Sequence, residues 1–434
     1  MAIKNFQELV KGEFAEERKI ILEIIDKVLN EMDGYNLVKN AVRMKDDTLF
    51  IVGDKKLVID LNSYKKIYFV GFGKAAGRMA KAMEEFIYFD DGVVICSKKE
   101  ELKSIKCIVG SHPFPTKENM EASKEILDIV KKAGKDDLII VAITGGGSAM
   151  LCLPRISLQS MVEVTDQLMK AGCSIEELNI VRKHLSHVKG GQLAMATEAR
   201  MVALIISDII GNPVDAIASG PTAGDESTFK DAYEILKKYG VKNKEAIEVI
   251  KKGMKGEIEE TPSKTHAENI IIGDVKKACS IAENEGKKRG YYTKILKCDL
   301  QGEAKEIGIA LAKYAKVYPR YHSIIIAGGE TVVKVKGNGT GGRNQEMVLA
   351  ALPELQSMPI VFASVGSDGI DGNSPAAGAI ADGHSMERAR ALNLEPGKYL
   401  ENNDSYTFFK KLKDAIITGY TGTNVMDLQI ILKR

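Results

Sequence analysis

The chain has 434 residues, a length that corresponds to two or three domains of ordinary size. Its 61 basic and 59 acidic residues leave a net charge of +2, so the charge balance gives no support to a nucleic-acid or polyanion partner. Hydrophobic residues make up 44% of the chain and charged residues 28%, which is typical of an ordered globular protein and excludes a disordered one.

Neither a membrane helix nor a secretory leader is predicted. The longest uncharged run, residues 138–154, contains three consecutive glycines and fits a buried strand and turn better than a membrane span. The first 14 residues lack the continuous apolar stretch of a signal peptide. Because the six cysteines are scattered and form no CxxC pair, we expect reduced core thiols in a cytoplasmic protein.

Strands and helices alternate along the predicted chain, after an opening helical pattern over residues 6–32. In the first half we predict strands at 67–71, 93–96, 138–143 and 202–207, and helices at about 74–86, 117–133, 158–172 and 175–198. In the second half we predict strands at 269–273, 291–296, 323–329, 331–335, 360–366 and 428–433, with one helix that ends near Gly286 and another over 303–317.

Fully apolar strands that alternate with helices indicate parallel sheets covered on both faces. We therefore predict an α/β protein with two three-layer domains and largely parallel sheets. The boundary falls in the segment between Thr222 and Glu268, which contains polar runs. This gives an N-terminal Rossmann-like domain over 1–240 and a C-terminal α/β domain over 241–434. The first helix can pack on either domain.

Glycines cluster where predicted strands end, which is the edge at which open α/β sheets bind ligands. The first cluster contains Gly71, Gly73 and Lys74 and opens a helix, where backbone N–H groups can hold a phosphate or carboxylate. The alternative is a tight turn with a solvated lysine, and the spacing GxGxxxG differs from the dinucleotide fingerprint. In the second cluster, Gly145, Gly146 and Gly147 precede Ser148 and can form an anion-binding nest.

Two further motifs add cations and a carboxylate. Asn179, Arg182 and Lys189 belong to a segment whose basic residues share one helical face, so we predict contact with substrate or nucleotide, although a solvated basic face is the alternative. Asp208 follows an apolar strand, and a carboxylate there suits a Mg²⁺ ligand or a general base. It can instead cap the next turn.

The second half has the same kind of strand ends. Predicted substrate- or nucleotide-binding residues follow or flank the strand at 323–329 and a glycine-rich loop over 337–342: Gly328, Gly329, Glu330, Thr331, Arg343, Asn344 and Gln345. Asp368 follows the strand at 360–366 and, with Asp208 and Glu330, is a predicted metal ligand.

Anion cradles, three cations (Lys74, Arg182 and Arg343) and strand-end aspartates are the inventory that phosphoryl transfer needs. The chain contains neither a GxxxxGK[ST] loop nor the HRD and DFG motifs of protein kinases, so a kinase here is of another type.

With these motifs the chain resembles the class II glycerate 2-kinases, whose C-terminal half is called the MOFRL domain. The resemblance rests on ten motifs in order: GFGKAAGRM (71–79), SHPFP (111–115), TGGGSA (144–149), NIVRKHLSHVKGG (179–191), SDIIGN (207–212), ASGPT (218–222), GGET (328–331), GGRNQE (341–346), GSDGIDG (366–372) and TGTNVMD (421–427). Only the last varies, because MD replaces the commoner asparagine-aspartate ending.

The resemblance implies phosphorylation of D-glycerate at its C2 hydroxyl, with ATP and Mg²⁺, in a cleft between two α/β domains. Lys74 and Arg343 match the family's two basic site residues. We expect the glycerate carboxylate near Lys74 and the GGGS turn, and the ATP phosphates near Arg343. Asp208, Asp368 or Glu330 would hold Mg²⁺, and Asp208 is the expected catalytic carboxylate. The expected partner is a small molecule, and a homodimer is left open.

The main alternative is an NAD(P)-dependent hydroxypyruvate reductase, favoured by the strand, glycine turn and helix around Lys74. The glycine spacing and the unexplained clusters of the second half oppose it. A binding protein for sugar acids would also fit two α/β domains, but has little need of so many strand-end carboxylates.

Overall fold

The computed structural model describes residues 1–434, which divide into two compact units. The central unit contains residues 34–272, and the terminal unit contains residues 1–33 together with 273–434. This division differs from the predicted one at residues 241–272, which remain with the N-terminal half. Residues 1–33, whose helix the prediction allowed on either domain, join the C-terminal half.

The elements are numbered in chain order. The helices are α1 (Phe6–Leu9), α2 (Ala15–Glu31), α3 (Gly34–Ala41), α4 (Ala76–Met83), α5 (Lys117–Lys132), α6 (Gly147–Met150), α7 (Leu158–Lys170), α8 (Ile175–His184), α9 (Phe229–Lys238), α10 (Lys244–Met254), α11 (Val275–Lys288), α12 (Ala304–Val317), α13 (Arg343–Leu355), α14 (Ser385–Ala391), α15 (Pro396–Glu401) and α16 (Ser405–Leu412). The strands are β1 (Val42–Lys45), β2 (Thr48–Val52), β3 (Lys56–Asp60), β4 (Ile67–Phe72), β5 (Asp91–Cys96), β6 (Lys106–Val109), β7 (Leu138–Ile143), β8 (Arg200–Ile206), β9 (Glu268–Gly273), β10 (Tyr292–Leu300), β11 (Ser323–Gly329), β12 (Ile360–Gly366), β13 (Gly378–Asp382), β14 (Ala415–Ile416) and β15 (Asp427–Lys433).

The central unit is built on a six-stranded sheet in the order β6-β5-β4-β7-β8-β9. From β6 to β8 every neighbouring pair runs parallel. All six residues of β7 are buried, which confirms the prediction from its unbroken apolar sequence. A separate antiparallel sheet, β1-β2-β3, has no counterpart among the predicted elements. Its strands have only four or five residues each, although every second residue is the less exposed one.

The terminal unit contains the second six-stranded sheet, in the order β10-β11-β15-β12-β13-β14. Only β10 and β11 run parallel, because β15 returns from the C-terminal end of the chain and pairs antiparallel with both β11 and β12. The prediction of two α/β domains is confirmed, and the prediction of largely parallel strands holds for the central sheet alone. A strand that is buried on both faces is apolar throughout, whether its neighbours run parallel or antiparallel to it. The apolar pattern therefore does not distinguish parallel from antiparallel pairing.

Packing explains the positions of residues 1–33 and 241–272. Helix α2 packs against α11, β12 and β15 of the terminal unit. Helix α10 packs against α7 and α9, and β9 forms the edge of the central sheet. Edge strands and covering helices attach wherever a complementary apolar face exists, so sequence order does not determine their domain.

All six cysteines are free thiols, as predicted, and four of them are buried. None of the helices combines the length and apolar character that a membrane crossing requires.

Candidate functional site

The first two glycine clusters meet at the carboxyl edge of the central sheet. The backbone N–H of Lys74 donates to the carbonyl of Gly145, 2.9 Å away, and the N–H of Ala75 donates to Thr144 Oγ1 at 3.1 Å. Gly73 has φ +119°, and a Cβ there would overlap the Thr144 side chain and backbone. The two turns therefore form one cradle, as the common strand edge predicts.

Gly146 brings two further side chains to this cradle. Its φ is +80°, and a Cβ on it would lie 3.0 Å from His112 Cδ2 and 3.4 Å from Lys74 Cγ. The glycine turn therefore packs between an imidazole and the stem of the lysine, and only glycine leaves room for both.

A serine and an asparagine connect the next two motifs to the cradle. Ser148 Oγ lies 2.9 Å from Ser219 Oγ, and Ser219 Oγ donates to Asn179 Oδ1 at 3.0 Å. Ala218 and Ser219 have φ values of +53° and +62°, and Gly220 follows at +61°. Two non-glycine residues in the left-handed region store backbone strain, which is concentrated at functional sites in proteins.

These motifs surround a cavity of about 550 Å³. Its lining has a polar side, made of His112, Gly146, Gly147, Ser148, Asn179, Arg182 and Asp208, and an apolar side that includes Phe114, Met169, Ile175 and Leu178. The polar side joins four predicted motifs. The apolar residues were not predicted, and Phe114 alone had a signal, because it stands in the SHPFP motif.

Arg182 is the main cation of this cavity. Its guanidinium is partly buried and makes neither a hydrogen bond nor an ion pair within the protein. Burial lowers the pKa of Arg182 from its ordinary value, and no carboxylate offsets this effect. A partly buried guanidinium without an anionic partner is costly, so an anion in the cavity would complete its environment.

Asp208 is the one carboxylate on the cavity wall. Of the three predicted metal ligands, Asp208 lies in the central unit, and Glu330 and Asp368 lie in the terminal unit. No group of three or more His, Cys, Asp or Glu side chains is arranged to hold a metal ion. Asp368 lines neither this cavity nor the one beside Arg343, and its Oδ1 accepts a hydrogen bond from the backbone N–H of Ile370.

Lys189, a predicted ligand-binding residue, is fully buried and does not line the cavity. Its Nζ donates to the carbonyls of Ser148 and Leu151, both at 2.8 Å, and these hydrogen bonds fix the position of α6. The predicted helix over 175–198 ends at His184, and Gly190 and Gly191 turn the chain with φ values of +56° and +78°. This departure from the helix is what places Lys189 under the turn.

We expect Lys189 to make stability depend on pH. Burial without a carboxylate lowers its pKa to about 7. Above that pH the unfolded chain binds the proton more tightly than the folded chain, so the free energy of unfolding should rise with pH between about 7 and 10, by at most about 1.4 kcal/mol per pH unit. Urea titrations of the wild type and of Lys189→Met across pH 6–10 measure the difference. A difference that stays constant with pH would exclude the lowered pKa.

Arg343 is held by carboxylates of its own unit. Its Nε and Nη2 bond to the two oxygens of Asp427 at 2.6 and 3.0 Å, and Nη1 lies 2.8 Å from Glu330. Burial raises the pKa of Asp427 to about 6, although the charge of Arg343 opposes the shift. Glu330, a predicted metal ligand, is thus already paired with an arginine.

Other predicted residues of the terminal unit have structural roles. Asn344 and Gln345 are buried, and their backbone N–H and side-chain amide groups donate to the carboxylate of Asp371, which caps α13. A Cβ on Gly328 would overlap Val275, and one on Gly329 would overlap Leu300, so both glycines serve packing. In the central unit, Gly71 packs in the same way against Val94 and Ala142 inside the sheet.

The glycine-rich loop over 337–342 is also explained by packing. Added Cβ atoms on Gly337, Gly339, Gly341 and Gly342 would overlap residues 402–405 or Asp371. The backbone N–H groups of residues 336–341 donate to Asn402, Asn403, Asp404 and Asn373. The N–H groups of residues 336–341 are therefore all used within the protein, and the contact of this loop with a polar ligand stays a prediction.

A parallel α/β sheet with glycine turns and a cavity at its carboxyl edge is typical of enzymes that bind small ligands there. Residues 20–252 match the family described as "Domain of unknown function (DUF4147)", and residues 323–427 match the MOFRL family. A glycerate 2-kinase of Pyrococcus horikoshii is 35% identical over 431 residues, with 96% of this chain and 97% of that protein covered. The chain belongs to the glycerate 2-kinase family with a MOFRL domain.

Other relatives agree on the fold and differ in name. The crystal structure of a glycerate kinase from Thermotoga maritima has 36% sequence identity and a TM-score of 0.86, with 96% of this chain and all of that chain covered. A putative hydroxypyruvate reductase of Agrobacterium vitis is 36% identical over 380 residues, covering 84% of this chain and 98% of that protein.

Proposed function

We propose that the protein phosphorylates D-glycerate at the C2 hydroxyl, with ATP as donor and Mg²⁺ as the metal, giving 2-phospho-D-glycerate and ADP. Glycerate kinases predominate among the relatives, which supports a kinase with a small anionic substrate. The observation that carries the proposal is the unpartnered Arg182 in the wall of the central cavity. A guanidinium binds a carboxylate through two parallel hydrogen bonds, and glycerate supplies a carboxylate.

In this mechanism Arg182 binds the glycerate carboxylate and fixes the orientation of the molecule in the cavity. Asn179 and Ser148 lie on the same wall, are joined through hydrogen bonds to the buried Ser219, and can orient the substrate hydroxyls. Asp208 accepts the proton of the C2 hydroxyl or a hydrogen bond from it. Lys74, beside the glycine turn, stabilises the negative charge of the transferred phosphoryl group.

The donor atoms of the cavity fit a magnesium ion that arrives with the nucleotide. Mg²⁺ is commonly held by one or two carboxylates together with substrate phosphates and water, and Asp208 supplies a carboxylate of this kind. Bound there, Mg²⁺ would neutralise charge on the phosphate oxygens. The catalytic role predicted for Arg343 stays a prediction, since its guanidinium is bonded to Asp427 and Glu330.

The free cysteines support the cytoplasmic location that we propose.

The test is a coupled assay of the purified chain with D-glycerate, ATP and Mg²⁺, in which enolase alone reports the product. Enolase acts on 2-phosphoglycerate, so phosphoenolpyruvate should form at once. If ADP forms without phosphoenolpyruvate, the protein is a kinase, but phosphorylation at C2 is refuted. Parallel reactions with hydroxypyruvate and NADH or NADPH test the reductase, which is retained because relatives bear that name. Cofactor oxidation without ADP formation would replace the kinase proposal.

Lys74→Ala should lower kcat by about 100-fold with little change in the KM for glycerate, since the lysine is assigned to charge on the transferred group. Steady-state kinetics with both substrates varied measure the effect. The matched control is Lys66→Ala, because Lys66 precedes the same strand and therefore lies at the end opposite to the glycine turn. Full activity of Lys74→Ala would remove its assigned role.

A further inference from the structure

Two cysteine thiols of the central unit are in contact with each other. Cys96 is the last residue of β5, and Cys107 is the second residue of β6. The two strands run parallel with Cys107 opposite Val94, so the side chains of Cys96 and Cys107 lie on the same face of the sheet. Their Sγ atoms are 3.3 Å apart. Neither thiol has a part in the phosphoryl transfer proposed for this protein.

The surroundings of the pair favour the thiolate form of Cys107. The hydrogen bond with Cys96 lowers the pKa of Cys107, and burial opposes this effect. The backbone N–H of Glu100 donates to Cys107 Sγ at 3.3 Å and lowers the pKa further, as does the charge of Lys99. Because the thiolate is the form of cysteine that attacks an oxidant, Cys107 is the thiol of the pair that reacts first.

An irregular segment covers both sulfur atoms. Cys96 is 1% exposed and Cys107 is 5% exposed. The thiol of Cys96 donates to the carbonyl of Lys98 at 3.0 Å, so the chain that leaves β5 closes over the pair. Residues 97–105 contain neither helix nor strand. Segments of this kind open at a lower free energy than the sheet beneath them, and a small oxidant then reaches the sulfur atoms.

A disulfide between these two residues requires β6 to move. An S–S bond is about 2.0 Å long and joins Cα atoms at most about 6.8 Å apart, whereas diagonal neighbours on adjacent strands are about 7–8 Å apart. Strand β6 has four residues and lies at the edge of the central sheet, where it pairs with β5 alone. It can therefore shift towards β5 while the other strands stay in place.

A shift of β6 would reach the cavity of the central unit. Gly110, directly after β6, donates its backbone N–H to the carbonyl of Cys96 at 2.9 Å. His112 follows two residues later and lines the cavity. After β5, Ser97 Oγ donates to the carbonyl of Lys74 at 3.3 Å. The cysteine pair is thus connected through short segments to both the imidazole and the lysine of the cradle.

We propose that Cys96 and Cys107 form a reversible disulfide on reaction with a peroxide, and that the accompanying shift of β6 lowers the activity of the protein. The thiolate sulfur of Cys107 attacks the O–O bond of hydrogen peroxide, so that an S–O bond forms and hydroxide leaves. The sulfur of Cys96 then attacks the sulfenic acid, the S–S bond forms, and the S–O bond breaks to release water. The two thiols lose two electrons and two protons, and both peroxide oxygens end in water.

The effect on activity rests on the proposed phosphorylation of glycerate, whereas formation of the disulfide does not depend on it. The test therefore has two readouts on the purified protein, treated with hydrogen peroxide and then with dithiothreitol. Trypsin cleaves after Lys98 and Lys106, so Cys96 and Cys107 fall in separate peptides that only a disulfide joins. Mass spectrometry should detect the joined peptides after peroxide and lose them after dithiothreitol.

The second readout is kcat/KM for D-glycerate. It should fall by about tenfold on oxidation and recover on reduction, since a misplacement of about 1 Å can cost about 100-fold in rate. Cys96→Ser and Cys107→Ser should each keep their activity in peroxide. Cys173→Ser is the matched control, because Cys173 lines the cavity and its own oxidation would block the site directly. This variant should lose activity in peroxide as the wild type does.

The outcomes separate the inference from the proposed function. Absence of the joined peptides after peroxide would overturn the inference, and so would a loss of activity that Cys173→Ser abolishes. Joined peptides with an unchanged kcat/KM would refute control of the site by the disulfide. If the reduced protein does not phosphorylate glycerate, the proposed function fails, and the joined peptides still decide whether the disulfide forms.

Discussion

Arg182→Gln is expected to raise the KM for D-glycerate and to lower kcat/KM by about 100-fold, without lowering the stability of the protein. Loss of a charged partner from a desolvated pair with a ligand costs about 2–5 kcal/mol, which corresponds to this range. Stability should be retained because the guanidinium has no hydrogen-bonding or ionic partner within the protein. Substitution of a group that serves a ligand often leaves the free protein as stable as before, or more so.

Steady-state kinetics and urea denaturation of the same preparations measure both quantities. The matched control is Arg155→Gln, because Arg155 donates to Ser186 and Gln192 and lies outside the cavity lining. That variant should keep its KM for glycerate and lose stability instead. An unchanged KM for Arg182→Gln would show that the glycerate carboxylate binds elsewhere, with the cradle at Lys74 as the next candidate.

Arg18→Met is expected to destabilise the terminal unit by about 3–5 kcal/mol, because it leaves buried carboxylates without their main counter-charge. The Arg18 side chain is fully buried, bonds to Asp382 Oδ2 at 2.6 Å and reaches both oxygens of Asp414 at 3.0 and 3.2 Å. Burial alone would raise the pKa of Asp414, but the charges of Arg18 and Arg388 outweigh it and hold the pKa below the ordinary value. This contribution to stability is present above about pH 4 and is lost as the pH falls further.

The control for this variant is Arg388→Met, which removes a more exposed arginine from the same two aspartates and leaves Arg18 in place. We expect a loss of about 1 kcal/mol there. Urea denaturation of both variants at pH 7 and hydrogen exchange of α2 measure the effects. Because Arg18 lies on α2, the experiment also tests whether residues 1–33 belong to the terminal unit. Equal, small losses in both variants would contradict that assignment.

The strand-end motifs of the central unit show how far sequence reasoning reaches. Lys74, Gly146, Ser148 and Asn179 are brought together as their positions after predicted strands or in the basic helix indicated, because parallel strands share one carboxyl edge. In the terminal unit, glycine content also reflects packing. The loop over 337–342 needs glycines to pack against residues 402–405, and sequence alone cannot distinguish this use from the cradling of a ligand.

The sequence by itself determined the strand and helix alternation, the two α/β folds and the family, since apolar periodicity and motif order are local properties of the chain. Only the tertiary structure decided which cations are available to a ligand. Arg182 and Arg343 look equivalent in the sequence, yet Arg182 has no partner and Arg343 is bonded to Asp427 and Glu330. Lys189 likewise changed from a predicted ligand into the buried support of a turn. The physical reason is that pairing of charges depends on contacts between residues far apart in the chain, such as Arg343 and Asp427, which no local pattern encodes.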